Sequence, residues 1–249
     1  MGQRLGQHFL NSAGILDQIA RAACPQPEPL VVEIGAGRGA LTRHLVARAG
    51  RVIAIETDAR LVSRLEDTFA GTENLTIVRA DVLHADLAQW GPAVFVGNLP
   101  FYITSPILRR VFMLQDCLLR AVFLVQKEVA ERLTAQPGSR AHGFLTVQTA
   151  LYARPELLFS VPAASFRPPP KVDSALVRLT PHPVQESDPE SFLEFVSLCF
   201  RQKRKTLRNN LAGHVDRRLL DGFPEASLRA EQLSLEDFRS LYHRLNPAG

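Results

Sequence analysis

Leu30 to Ile34, Val52 to Glu56, Leu75 to Arg79, Ala93 to Val96 and Ala121 to Val125 are five short apolar runs bounded by glycines and polar turns. Continuous apolar runs of this length are the mark of strands buried on both faces. Helical patterns lie between them at Ala40 to Arg48, Arg60 to Phe69 and Pro106 to Leu114. Strands that alternate with helices fold as a mostly parallel sheet covered on both sides, so a doubly wound, Rossmann-like α/β domain is expected. A further helix starts near Lys127. Glu156 to Val161 and Ala175 to Leu179 read as two strands around Pro162 to Lys171, a hairpin that closes the sheet edge. The stretch from Pro181 to Pro189 is polar and proline-rich, which marks a boundary, and from Ser191 onward only helical patterns remain. The expected division is a ligand-binding catalytic domain over 1–180 and a small all-α domain over 181–249.

Composition narrows the class without choosing within it. Hydrophobic residues are 46% and charged residues 22% of 249, which excludes a disordered chain or a coiled coil. A net charge of +4 permits a polyanionic partner but does not require one. Cys24, Cys117 and Cys199 are widely spaced, with no CxxC pair, so neither a disulfide framework nor a cysteine zinc site is expected. No apolar run approaches the roughly 18 residues of a membrane span. A cytoplasmic monomer that binds no metal and no membrane is expected.

The first strand runs into EIGAGRGAL, placing Gly35, Gly37 and Gly39 in the turn that opens the next helix. Glycines there let the backbone approach a ligand closely, and a helix N-terminus offers free amide donors. About twenty residues on, the second strand ends at Glu56, where a carboxylate can accept the hydroxyl protons of a ribose. The loop also satisfies the relaxed nicotinamide fingerprint through Gly35, Gly37 and Ala40, so by itself it indicates only a nucleoside-containing cofactor. Asp81 follows the third strand, where its carboxylate can accept from an adenine amino group. Acids after both strands resemble an S-adenosylmethionine site more than a dinucleotide site.

The fourth strand ends in Gly97 and then Asn98-Leu99-Pro100-Phe101. The N6 of adenine is a poor nucleophile because its lone pair is conjugated into the ring. Acceptors aimed at its two N–H bonds favour a pyramidal nitrogen whose lone pair faces an electrophilic methyl. Asn98 offers a side-chain carbonyl, the turn at Pro100 aims the Leu99 backbone carbonyl, and Phe101 stacks on the base. Such a site works by orientation and by suiting developing positive charge.

With these residues in view, GQHFL at Gly6 to Leu10, EIGAG at Glu33 to Gly37, NLPF at Asn98 to Phe101, LVQKEVAERL at Leu124 to Leu133 and FRPPPKVDSA at Phe166 to Ala175 together resemble the ribosomal RNA adenine dimethyltransferases. The resemblance covers nearly the whole chain and implies a class I methyltransferase fold. It implies that S-adenosylmethionine lies against His8, Leu10, Gly35, Glu56, Asp81 and Asn98, with Gln7 and Gly37 beside them. It implies dimethylation at N6 of two adjacent adenines in a hairpin loop near the 3′ end of small-subunit (16S) RNA, during ribosome biogenesis. It also places Phe166 near the target pocket, opposite Phe101. Many bacterial members have Asn where this chain has His8, and Tyr where it has Phe101; the histidine introduces a group that titrates near neutrality. FRPPPKVDSA and QKRKTLRNN favour the small-subunit branch over the macrolide-resistance dimethylases of large-subunit RNA. A largely non-catalytic ribosome assembly checkpoint is the alternative of another class.

Phosphate contacts are expected from the densest basic run, Arg201, Lys203, Arg204 and Lys205, followed by Arg208, and from Lys171 on its proline-bounded turn. A solvated helix face is the ordinary alternative for such a run.

Overall fold

The structure is a computed structural model that describes residues 8–245. Its elements run in the order β1 (Phe9–Leu10), α1 (Ala13–Ala23), β2 (Glu28–Ile34), α2 (Thr42–Val46), β3 (Ala49–Glu56), α3 (Ala59–Thr68), β4 (Leu75–Arg79), β5 (Ala93–Asn98), α4 (Thr104–Phe112), β6 (Leu118–Gln126), α5 (Lys127–Leu133), α6 (Phe144–Tyr152), β7 (Ala153–Val161), β8 (Phe166–Arg167), β9 (Ser174–Pro181), α7 (Pro189–Cys199), α8 (Leu207–Asn210), α9 (Arg217–Asp221) and α10 (Leu235–Leu245). Among the described residues no helix is long and apolar enough to cross a membrane.

The main sheet has seven strands in the order β4-β3-β2-β5-β6-β9-β7. Pairings from β4 through β6 are parallel, and β9 joins β6 antiparallel. The chain builds outward from β2 to β4 and then returns to lay β5 on the other side of β2. That reversal opens a crevice at the carboxyl ends of β2 and β5, where open α/β sheets bind ligands. The central strands are apolar throughout because both faces are covered: Val31, Val32, Ile53, Val94 to Val96 and Ala121 to Val125 are completely buried. One covering helix, α1, buries Leu16, Ile19, Ala20 and Ala23, a single stripe at helical spacing. A second, two-stranded sheet pairs β1 with β8 antiparallel, matching Phe9 to Arg167 and Leu10 to Phe166.

The structure differs from the sequence expectation in three places. The helix after the glycine loop is five residues long, shorter than the pattern from Ala40 to Arg48. The left-handed Gly39 before it, at φ +78°, packs where a Cβ would stand 2.5 Å from the Phe69 ring, and β3 already starts at Ala49. The strands β1 and β8 and the helix α1 were not anticipated. Finally, the chain divides into one unit of residues 1–130 and 155–181 and another of 131–154 and 182–249. The stretch 131–154, placed by chain order in the first domain, therefore belongs with the C-terminal unit.

That second unit is helical apart from the first two residues of β7. Asp188 caps α7 by accepting from the Ser191 amide at 3.0 Å, with Pro189 at the first helical position. Ser234 and Asp237 cap α10 reciprocally. Phe192 and Phe195 of α7 each lie 5.5 Å from the Tyr242 ring of α10, and Phe200 lies 5.6 Å from Phe238, which gives the unit its own aromatic core.

Candidate active site

One pocket opens at the reversal of the sheet, and the first unit alone lines it. Its wall brings together His8, Leu10, Gly35, Gly37, Glu56, Asp81 and the whole segment Asn98 to Phe101. They arrive at the carboxyl ends of β2, β3, β4 and β5 or on the β1 strap. Gln7 lies outside the described residues.

Gly35 and Gly37 have φ of +74° and +59°, in the left-handed region that favours glycine. A Cβ at Gly35 would enter open space, so the missing side chain leaves room at the pocket wall. The expectation of free glycine amides is corrected. Gly35 and Ala36 donate to the Ile55 carbonyl at 2.9 and 3.1 Å, and Gly39 donates to Ala36. The Gly37 amide donates to Glu56 Oε2 at 2.8 Å. Glu56 also accepts at Oε1 from the Thr57 and Asp58 amides, at 2.8 and 2.9 Å. A carboxylate has about four acceptor sites, so Glu56 pins the loop to the end of β3 and keeps one site for a ligand hydroxyl. Asp81 accepts from the Leu83 amide at 2.9 Å and lies 3.2 Å from His84 Nδ1, with about half of its side chain open to the crevice.

Sequence reasoning passed over a buried acid in the same wall. Glu33 is 2% exposed and accepts a 2.6 Å hydrogen bond from the Thr42 hydroxyl. Burial pushes its carboxyl up to about 7, and the negative charge of Glu56 acts in the same direction, against the Thr42 bond. The only available signal was that an acid interrupts an otherwise apolar strand. Gly97 was also passed over as a residue in its own right. A Cβ there would stand 2.4 Å from the Ile34 carbonyl oxygen, so the residue before Asn98 must be glycine for β5 to approach β2.

The β1 strap fixes the geometry of Asn98. The Asn98 Nδ2 donates to the His8 main-chain carbonyl at 3.1 Å. A carbonyl only accepts, so the amide nitrogen must face the strap and Oδ1 must face away from it. Among the described residues, Asn98 Oδ1 accepts no hydrogen bond. In the adjoining turn the Pro100 carbonyl accepts from the Ile103 amide and the Thr104 hydroxyl, each at 3.1 Å. The Leu99 carbonyl accepts nothing among the described residues, while its amide is held by the Leu124 carbonyl at 3.0 Å. Two adjacent residues of the pocket wall thus each keep a carbonyl oxygen without a hydrogen-bond donor among the described residues.

The strap is held in turn from several sides. His8 Nδ1 lies 2.8 Å from the Pro168 carbonyl, so that nitrogen carries the proton and donates, whether the ring is neutral or charged. The His8 ring lies 5.9 Å from that of Phe101, with 30° between the planes. Arg38 stacks its guanidinium 4.2 Å over Phe9, whose ring covers Gly37.

Phe166 is a correction. Its side chain is completely buried in the core with Leu10, Leu16 and Val161, and it does not line the pocket. Its pairing with Leu10 turns it inward, so in this structure Phe101 faces the His8 ring instead.

Of the basic residues, Lys171 is exposed in the loop between β8 and β9. Arg201, Lys203, Arg204 and Lys205 are exposed in the turn between α7 and α8, not on a helix face. Arg204 and Lys205 have no side-chain hydrogen-bond or ion-pair partner among the described residues. Arg201 lies 3.4 Å from the His214 ring nitrogen. Arg208, also expected to contact phosphate, forms an ion pair with Asp221 at 3.2 Å on the surface.

The sequence profile of the ribosomal RNA adenine dimethylases matches residues 2–246. The chain is 42% identical to the ribosomal RNA small subunit methyltransferase A of Acidobacterium capsulatum, over 97% of this chain and 90% of that protein. A dimethyladenosine transferase from Plasmodium falciparum superposes with a TM-score of 0.81 at 28% identity, covering 96% of this chain and 98% of the other. The 23S rRNA methyltransferase ErmE superposes at 0.72 with 31% identity, covering 96% and 99%. The sheet is thus that of the class I methyltransferases, and a profile spanning almost every residue places this chain in the ribosomal RNA adenine dimethylase family.

Proposed function

We propose that this protein transfers methyl groups from S-adenosylmethionine to the N6 of adenines in ribosomal RNA, and that its target is a pair of adjacent adenines in a hairpin loop near the 3′ end of the small-subunit RNA. The observation that carries the reading is the orientation of Asn98: its amide nitrogen is occupied by the His8 carbonyl, which leaves Oδ1, like the carbonyl of the next residue Leu99, without a donor among the described residues.

The pocket suits the methyl donor. Open space at Gly35 gives close access to the backbone, Glu56 keeps an acceptor site for a ribose hydroxyl, and Asp81 offers a carboxylate to an adenine amine. Ile34, Ile55, Val82 and Leu99 supply apolar surface for a base. The donor supplies a methyl group on a positively charged sulfur.

The chain's own residues do the rest by orientation. Asn98 Oδ1 and the Leu99 carbonyl each accept one N6–H, which draws the nitrogen out of conjugation and turns its lone pair toward the electrophile. As the new C–N bond would form and the methyl's bond to sulfur break, the positive charge would pass from sulfur to nitrogen, where two fixed carbonyl dipoles stabilise it without reorganising. Phe101 offers a ring face to the target base, backed by the His8 imidazole. Each round ends with release of one N6 proton to solvent, so the second methyl transfer needs only one of the two acceptors. A base in a loop is taken out of its stack at lower cost than one in a duplex, which suits a hairpin target. The unpaired cations Arg204 and Lys205 suit an RNA backbone.

The small-subunit target is supported by the name of the relative at 42% identity. Incubation with labelled S-adenosylmethionine and unmethylated small subunits, large-subunit RNA or duplex DNA, followed by mass spectrometry of the nucleosides, tests it. Dimethyladenosine from the small subunit alone is expected. Label on large-subunit RNA would move the protein to the resistance branch, and binding without label would leave the checkpoint role.

A further inference from the structure

The basic run Arg201 to Lys205 is conspicuous in the sequence, whereas Arg140 stands alone more than 60 positions earlier. In the structure the two regions meet within the second unit. Lys203 Nζ donates to the Arg140 main-chain carbonyl at 2.7 Å, which locks the turn carrying Arg140 to the turn carrying Arg204 and Lys205. Arg140 is exposed, and its guanidinium has no hydrogen-bond or ion-pair partner among the described residues.

Both turns are built rather than loose. The buried Asn210 threads the basic turn with three hydrogen bonds: Nδ2 donates to the Cys199 carbonyl at 2.7 Å and the Gln202 carbonyl at 3.2 Å, and Oδ1 accepts from the Gln202 amide at 3.0 Å. The Lys205 amide closes the same turn on Gln202 at 2.9 Å. On the other side the Gly138 amide donates to the Glu231 carbonyl at 2.7 Å, and the Ser139 and His142 amides fold the turn on itself. His142 contributes no charge: it is buried against Phe200, and burial holds its ring below the usual histidine range.

We infer that Arg140, Lys203, Arg204 and Lys205 form one preorganised surface that binds consecutive phosphates of the RNA backbone, with Arg140 as a contact that chain order conceals. The inference rests on the proposed rRNA substrate. The guanidinium of Arg140 is free, whereas Arg208, Arg239 and Arg244 in the same unit are bound to Asp221, Glu186 and Glu225. Lys203 spends one of its three donors on the Arg140 carbonyl and keeps two. Side chains rooted in fixed turns lose less conformational freedom on binding than those on mobile loops.

The test is the salt dependence of binding to a fluorescent RNA hairpin with adjacent adenines in its loop. Removing one phosphate-neutralising cation lowers the slope of log K against log salt by about 0.7 to 0.9, which is roughly 5- to 8-fold in affinity at 0.1 M salt. R140A should shift both quantities by about as much as K205A, and R140E by more. R244A, which removes an already paired cation, should shift neither. Thermal midpoint and donor affinity should be unchanged in R140A. Wild-type slope and affinity in both Arg140 variants, with K205A weakened, would overturn the assignment of Arg140. Absence of salt-dependent binding by the wild-type protein would instead overturn the rRNA reading itself.

Discussion

Replacing Glu33 by Gln should stabilise the protein, by an amount that grows with pH. The carboxyl is buried, bonded among the described residues only to Thr42, and pushed from its ordinary 4.5 up to about 7. A shift of this size corresponds to about 3 kcal/mol at about 1.4 kcal/mol per pH unit. The folded state holds the proton more tightly than the unfolded chain. Between pH 4.5 and about 7 the native protein therefore binds more protons than the unfolded state, and stability falls as pH rises through that window. Above it the full cost of about 3 kcal/mol applies, because a charge is buried without a cation beside it. Glutamine is neutral at every pH and still accepts from the Thr42 hydroxyl. Urea unfolding of both proteins without ligand, from about pH 5 to about 8.5, isolates the effect, since all other titrating groups cancel in the difference. The two curves should meet near pH 5, and the variant should be more stable by up to about 3 kcal/mol at about pH 8. A difference that does not change with pH, or a variant less stable at the alkaline end, would refute the reasoning. A cationic ligand in the same pocket offsets the buried charge, so S-adenosylmethionine should raise wild-type stability at alkaline pH more than its uncharged-sulfur product does.

Gly97→Ala drives a methyl group into the Ile34 carbonyl and must displace the end of β5; we expect a loss of about 1 to 3 kcal/mol in stability and a larger loss of methyl transfer, because Asn98 moves with it. A variant with normal transfer would show that the close approach is not needed. His8→Ala removes both the bond to Pro168 and the ring facing Phe101, so the turnover rate should fall while affinity for the RNA hairpin is kept.

Much of this architecture was legible because its strands are buried on both faces. Leu75 to Arg79 is a strand with the bounds its apolar run suggests, and the Val52 run ends at Glu56 in both readings. The residues at strand ends were legible for the same reason: once the parallel order is known, Gly35, Glu56, Asp81 and Asn98 converge on one crevice. What could not be read depends on contacts between distant segments. Phe166 follows the motif of an aromatic near the target, but its pairing with Leu10 turns the ring into the core. The two-residue strands β1 and β8 stabilise each other and carry no periodicity to detect. Residues 131–154 precede β9 in the chain yet fold with the C-terminal helices, which no composition shift announces. Arg208 sits beside the basic run but is paired with Asp221 of α9.

In the proposed reaction Asn98 Oδ1, held in place through Nδ2, is an acceptor that activates the adenine nitrogen. Single-turnover methyl transfer by Asn98→Ala, with RNA and donor both saturating, tests it most directly. Removing one fixed dipole of this kind should slow the chemical step by about 100- to 1,000-fold, while RNA binding is kept and the methyl acceptor remains N6 of adenine. Transfer at the wild-type rate would contradict the account.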